Sequence, residues 1–321
     1  MSITIPADAR FYAEIPLVPA QGSRFQPTGF PDLGAAEFQA PAGENATRRM
    51  LLVESAQSMA NRLEEVCWDA TTNDVVPCLN GLPYVRVENA KGEYLTSSIQ
   101  EAHRLNSPYL LENKDQTFFD LLKQELGGLE TGRVDLHQLG KVLYKYDPNS
   151  LIHGIFLAKK ELAGGRLRLP RMLSAFIEAA AVSPAISGGV KRDDVDPTGK
   201  SFGKTAKEGF GHVPFARVEY TGEIRAYFAI DLAQLRAFQL GDAAERLLFA
   251  LCLYKIRAFL DDGLRLRTAC DLATVGDLLV KRPSPFVVPT RAQLEAQLPG
   301  LVAAAGFRPD PIQKVTFASA K

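Results

Sequence analysis

The spacing of apolar and polar positions predicts a mixture of short strands and helices. A short strand is expected near Phe11–Val18. Arg24–Phe38 follows with turn signals at Pro27, Gly29 and Pro31. Leu52, Ala56, Met59, Leu63 and Val66 recur at helical spacing, which predicts a helix from about Thr47 to Cys67. Glu54, Gln57, Asn61 and Glu65 fall on its other side. Pro77–Val87 reads as a turn leading into a strand. A helix near Thr117–Leu126 ends at Gly127 and Gly128, and another spans about Asp135–Tyr146 before Asp147-Pro148. Leu151–Ala158 reads as an apolar strand and Leu167–Val182 as a second, with Ala-rich Phe176–Val182 open to a helical alternative.

Ser183–Pro214 breaks this order. It holds six glycines, three prolines and no apolar periodicity, so it reads as one long irregular insertion. Arg217–Tyr220 and Ile224–Ile230 flank Thr221-Gly222-Glu223, which reads as a hairpin turn. Asp242 reads as an N-cap, with Glu245 completing a capping box. Leu247, Leu251, Tyr254 and Ala258 mark the buried face of that helix, and Gly263 its stop. Leu264–Thr268 alternates as a strand, and residues 272–321 read as a less regular tail. The middle of the chain reads helix, strand, strand; its last third reads strand, strand, helix, strand. The expectation is an α+β fold: a single elaborated domain over residues 1–321, with a split β-α-β, ferredoxin-like sheet carrying long insertions.

Composition narrows the function. The chain has 321 residues, 46% of them apolar, enough for a sizeable core. Its 37 basic residues balance 37 acidic ones, which disfavours coating nucleic acid by bulk charge yet allows a local basic groove. Cys67, Cys78, Cys252 and Cys270 show no C-x-x-C spacing, so the common zinc patterns are absent and free thiols in a reducing compartment are expected. The N-terminus lacks a signal-peptide pattern, and the longest apolar stretch, Leu247–Tyr254, is far too short to span a membrane. A cytoplasmic protein is expected.

Candidate chemistry is sparse. Gly199–Thr205 resembles a P-loop, but three residues rather than four separate its glycines. Lys191, Arg192, Lys200, Lys204 and Lys207 sit in the glycine-rich segment among Asp193, Asp194 and Asp196. This is either a solvated loop or a finger that grips a nucleic-acid backbone. The three aspartates could instead hold a divalent ion. Arg265 and Arg267 share a strand face without the aromatic signature of an RNA-recognition sheet. His137 and His153 read as structural, whereas His103 and His212 are better placed to touch a ligand. No G-x-S-x-G elbow is present, Ser55 and Ser58 have no implied base, and Asp261-Asp262 reads as a solvated helix end. No catalytic constellation emerges and no cofactor is implied.

Six stretches carry a resemblance: Val53–Glu64, Leu105–Leu110, Gly140–Phe156, Ser183–Pro197, Glu208–Thr221 and Lys255–Leu272. Together they resemble the backbone subunit of CRISPR effector complexes, in the RAMP superfamily, most closely its type I-G (formerly I-U) form. The resemblance spans roughly residues 24–275. It implies an RRM-like palm with finger and thumb-like insertions, residues 183–214 being the thumb-like one. It also implies stacking of further copies along a CRISPR RNA as a helical filament, pairing of target DNA through the guide, and contact with other effector subunits. Type I members are not nucleases. Type III relatives cut target RNA with a loop aspartate, so a metal-dependent ribonuclease is the alternative. The resemblance implies RNA contacts at Arg24, Arg48, Arg49, Arg62, Arg104, Asn106, Lys191, Arg192, Lys200, Lys204 and Lys207, with Arg265 and Arg267 behind them.

Overall fold

The structure, a computed structural model, describes residues 3–30, 33–43, 46–112, 116–200 and 208–317. One large antiparallel sheet organises it. Across that sheet the strands run in the order Arg265–Arg267, Cys270–Thr274, Arg10–Pro19, Val213–Asp231, Leu173–Lys191, Thr47–Glu54 and Glu37–Pro41. Leu279–Arg282 also pairs with Arg10–Pro19. The expected mixture of helices and antiparallel strands is therefore present.

The period of two along Arg10–Pro19 decides which sheet face becomes core. Phe11, Ala13, Ile15 and Leu17 are buried, while Tyr12 and Val18 are exposed. The helix Asp242–Asp262 covers the buried face. Its Phe249 meets Phe11 with ring centroids 6.2 Å apart, and Phe259 meets Phe228 at 6.5 Å. Every residue from Leu247 to Ile256 is buried, so this helix is enclosed all round. The helix Ala56–Glu65 packs beside it through Met59 and Leu63.

Thr47–Glu54 is a strand, and the helix begins only at Ala56. Leu51 and Val53 are buried on alternate positions, and the Ser55 hydroxyl caps the helix by accepting from the Ser58 amide at 3.2 Å. The apolar residues on both sides of Ser55 coincide with helical spacing, which hid the break. Leu151–Ala158 divides in the same way, into the end of the helix Pro148–His153 and the strand Ile155–Leu157.

Ser183–Pro214 is not one irregular insertion. Leu173–Lys191 and Val213–Asp231 are 19-residue partners paired as far as Lys191 and Val213. Of the residues between them, the described ones, 192–200 and 208–212, are irregular. The glycines belong to the pairing: a side chain on Gly188 would meet the Phe215 carbonyl oxygen at 2.7 Å, and the Phe215 ring lies 3.1 Å from the Cβ position of Gly189. Thr221-Gly222-Glu223 is likewise no turn. It lies inside the Val213–Asp231 strand, opposite a bulge where the register shifts between Ala180 and Ser183. A Cβ on Gly222 would meet the Ala180 carbonyl oxygen at 2.9 Å.

The cap of the long helix is Gly241, and Asp242 is its first residue. Asp242 and Glu245 lie in the first turn, where negative charge suits the helix dipole. A true capping box sits instead at Thr290 and Gln293, opening the helix Arg291–Ala304. The region read as a less regular tail thus contains the end of the strand Cys270–Thr274, a helix and two further strands, one of which, Gln313–Thr316, pairs in parallel with Val85–Glu88.

Beyond Thr221 the two long strands leave the sheet as a ribbon. Pairing of Leu173–Lys191 with Thr47–Glu54 ends at Ala180–Met50, and among the described residues the backbone bridge Phe25–Tyr220 reaches further. One ribbon face carries Ile186, Val190, Ala216 and Val218; the other carries Lys191, Phe215, Arg217 and Glu219. Ile186 is 76% exposed. Leu251→Ala in the enclosed helix is expected to cost about 2–5 kcal/mol of stability. Ile186→Ala on the ribbon is expected to stay within about 0.5 kcal/mol. Urea unfolding of both variants checks this.

Candidate nucleic-acid interface

The base of the ribbon is fixed by a buried carboxylate. Glu54 is 1% exposed and accepts from Arg62 Nε at 3.2 Å, from the Ser58 hydroxyl and from Arg267. Arg62 also donates to the Leu266 carbonyl at 2.6 Å, and Arg267 to the Gln26 and Val53 carbonyls at 2.9 and 3.3 Å. Both arginines, expected as RNA contacts, are engaged in holding the helix Ala56–Glu65 to the strand Arg265–Arg267. Arg267 still lines a surface cleft.

Two clefts flank the ribbon root. The first, about 440 Å³, is lined by Gln21, Ser23, Arg24, Arg265 and Thr268 together with the acidic Glu219 and Asp271. Arg24 lies 3.5 Å from Glu219, and Arg265 is exposed. The second, about 800 Å³, runs past Gln26, Thr28, Gly29 and Arg267 to the ribbon residues Ala216 and Val218. Strand alternation places Glu219 and Val218 on opposite ribbon faces, so the clefts lie on opposite sides. Arg49 pairs with Glu37, which also accepts from the Tyr220 hydroxyl; these contacts hold the Glu37 carboxyl below its ordinary value. Arg48 is exposed beside this cluster.

At the ribbon tip Lys191, Arg192 and Lys200 are exposed. Lys204, Lys207 and most of the P-loop-like Gly199–Thr205 lie outside the described residues. The neighbouring aspartates organise the loop. Asp193 accepts from the amides of Asp196, Gly211 and Val195 at 3.0, 2.9 and 3.0 Å, which lowers its pKa. Its own amide donates to His212 Nδ1 at 3.1 Å. Asp196 accepts from the Thr198 hydroxyl and the Gly199 amide. Among the described residues no group of three His, Cys, Asp or Glu is placed to hold a metal.

Arg104 and Asn106 lie elsewhere, at a third groove of about 1000 Å³. Arg104 is buried and donates through Nε and a terminal nitrogen to both oxygens of Glu64, each at 2.6 Å. Asn106 accepts from the Ala158 amide at 3.1 Å. The groove also displays His103, Phe156, Arg168 and Arg171, of which the sequence reading named only His103. The signal was present in Leu167–Arg171, where alternation buries Leu167 and Leu169 and exposes Arg168.

Behind this groove lies a buried polar cluster. Burial pushes Glu64 up to about 7, against the pull of Arg104. Burial also raises Asp147 and holds His153 well below an ordinary imidazole, with Lys255, Arg104 and Arg171 adding to the depression. His153, read as strand, ends a buried helix, and neither ring nitrogen has a hydrogen-bond partner. His137 Nδ1 lies 2.7 Å from the Phe238 carbonyl, as a structural histidine would. All four cysteines are free. Among the described residues no helix is long and apolar enough to cross a membrane.

Two stability predictions follow from these carboxylates. Glu54→Ala leaves Arg62 and Arg267 without their shared partner and is expected to cost about 3–5 kcal/mol, measured by urea unfolding. Glu64 keeps its proton to higher pH in the folded chain than in the unfolded one, so its contribution falls as pH rises from the ordinary carboxyl range to about 7. The stability advantage of the natural chain over Glu64→Gln is therefore expected to shrink between pH 5 and pH 7, in paired unfolding curves. His153 adds an acid-side loss that both chains share.

The model of a family described as CRISPR-associated protein GSU0053 matches residues 12–184, just over half of the chain. The match ends within the first long strand of the ribbon. A solved structure described as a "CRISPR RNA-guided surveillance complex, pre-nicking" is similar at 16% identity and a TM-score of 0.37, covering 83% of this chain and 73% of that one. No curated protein matches.

Proposed function

We propose that this chain, which belongs to the family of CRISPR-associated protein GSU0053, is a non-catalytic RNA-binding backbone subunit of a type I, and specifically type I-G, effector complex. One observation carries the reading. A two-stranded ribbon with lysine and arginine at its tip continues two central strands beyond the sheet, between two clefts, one of which displays Arg24 and Arg265. Such a projection crosses a bound strand and displaces it locally. Flexible cations then meet phosphates without reading bases, which fits a protein whose specificity lies in guide pairing.

Support for a ferredoxin-like palm comes from strand order. Four central strands, Cys270–Thr274, Arg10–Pro19, Val213–Asp231 and Leu173–Lys191, lie side by side in the order fourth, first, third, second. A helix follows the first of them (Ala56–Glu65, after further strands) and another follows the third (Asp242–Asp262). Support for stacking of copies comes from the apolar ribbon face, where Ile186, Val190 and Val218 are exposed. A second copy covering that face would extend the assembly along the guide. CRISPR RNA, target DNA held through it, further copies and other effector subunits are the proposed partners, in the cytoplasm.

Arg24→Glu with Arg265→Glu is expected to weaken guide binding by at least about tenfold at moderate salt and to reduce the salt slope by about one per lost phosphate contact. The measurement is fluorescence anisotropy of labelled CRISPR RNA across a salt series. Alongside it, the chain co-expressed with a CRISPR RNA is expected to elute as a large species whose size steps with spacer length, and to leave target RNA intact in Mg²⁺. A nucleic-acid-free monomer, inert to guide at low salt, sinks the reading. Regular target cutting lost on Asp193→Ala moves it to a ribonuclease.

A further inference from the structure

The third groove has a chemistry of its own. Its floor is the short hairpin Ile155–Leu157 with Leu167–Leu169, and its walls are Gln57 and Asn61 of the first helix and the loop around His103. Three arginines and two histidines line it, and no carboxylate does. Arg104 is bound by Glu64 from behind. Arg168 and Arg171 have no carboxylate partner among the described residues. Arg171 donates to the Gln57 side-chain carbonyl, but its Nε is buried and has no hydrogen-bond partner. A buried guanidinium N–H without an acceptor is costly unless a ligand supplies one. Burial lowers the pKa of Arg171, and Arg104 adds to this, as expected in a site with excess positive potential.

The apolar part is equally specific. The Arg168 guanidinium lies 4.2 Å from the centroid of the half-exposed Phe156 ring. A guanidinium over an aromatic ring gives a nucleobase planar groups on which to stack. Pro170, exposed beside them, continues the apolar surface, while Ile155 and Leu169 are buried beneath it. The groove therefore pairs a planar stacking platform with an anion-seeking end, in a space of about 1000 Å³.

We propose that this groove binds one nucleoside phosphate unit of single-stranded nucleic acid, with the phosphate at Arg171 and His103 and the base on Arg168. The shared chemistry is a nucleoside phosphate, whether in a chain or as a free nucleotide. The site is separate from the ribbon-root clefts; because Arg104 and Asn106 line it, it rests on the RNA-binding reading and deepens it.

The test is photo-crosslinking of the purified full chain to a hexanucleotide RNA containing 4-thiouridine, mapped by mass spectrometry. Crosslinks are expected within residues 153–158 or at His103. Arg168→Glu, a change at an exposed position, and Arg171→Gln are each expected to reduce them about tenfold, as loss of a charged contact does. Crosslinks at the ribbon root are expected to persist in both variants. Circular dichroism confirms folding, and Arg168→Glu decides the matter if Arg171→Gln fails to fold. Competing adenosine monophosphate that protects the groove as well as the unlabelled hexamer assigns it to free nucleotides; protection by the hexamer alone assigns it to a chain. Groove crosslinks that are absent, or unchanged in Arg168→Glu, overturn this proposal while ribbon-root crosslinks leave the backbone reading intact. Crosslinks at neither place overturn both.

Discussion

The contact on which the architecture turns is the one between Glu54 and its two arginines. Glu54 ends a sheet strand, one residue before the cap of the first helix. Arg62 comes from that helix and Arg267 from the far edge of the sheet. A charge with 1% exposure is tolerable only if its lone pairs are filled, and here a hydroxyl and two guanidiniums fill them. The arginines in turn seek carbonyls at Gln26, Val53 and Leu266. Chain segments more than two hundred residues apart in sequence are thereby locked at the point where the ribbon begins. Such ionic ties contribute geometry more than net stability.

That arrangement reassigns much of the positive charge. The chain is electrically balanced, and several of its arginines are taken up by carboxylates of the protein itself: Arg62 and Arg267 at Glu54, Arg104 at Glu64, and, nearer the surface, Arg49 at Glu37. Of the cations left on the surface, three groups border a tip, a cleft or a groove: the ribbon tip, the Arg24–Arg265 cleft and the Arg168–Arg171 groove. A neutral protein can offer binding surfaces when internal pairing removes the other charges from view.

Local signals were legible where one physical rule acted alone. Helices at Thr117–Leu126 and Leu136–Tyr146, and the strand Arg10–Pro19, follow from spacing and stop residues. The sequence misled where two rules overlapped. Around Ser55 a strand and a helix share apolar positions that fit a single helical stripe. At Gly188, Gly189 and Gly222 glycine marks close approach of paired backbones rather than a loop. The third groove was only partly visible, because Arg168 and Arg171 acquire meaning from Phe156 and Gln57, which reach them through the fold.

The bulge at Ala181 and Val182 sets the phase of everything beyond it. Side chains alternate along a strand, so one unpaired residue decides which way each later side chain points. With the bulge in place Ile186 and Val190 share a face with Ala216 and Val218, and Lys191 joins Arg217 on the other. Removing one residue there would exchange the two faces of the outgoing Ser183–Lys191 strand against an unchanged partner strand, mixing greasy and charged positions on both sides. The ribbon can thus vary in length and tip sequence while its two-sidedness is inherited from a single irregularity at its root.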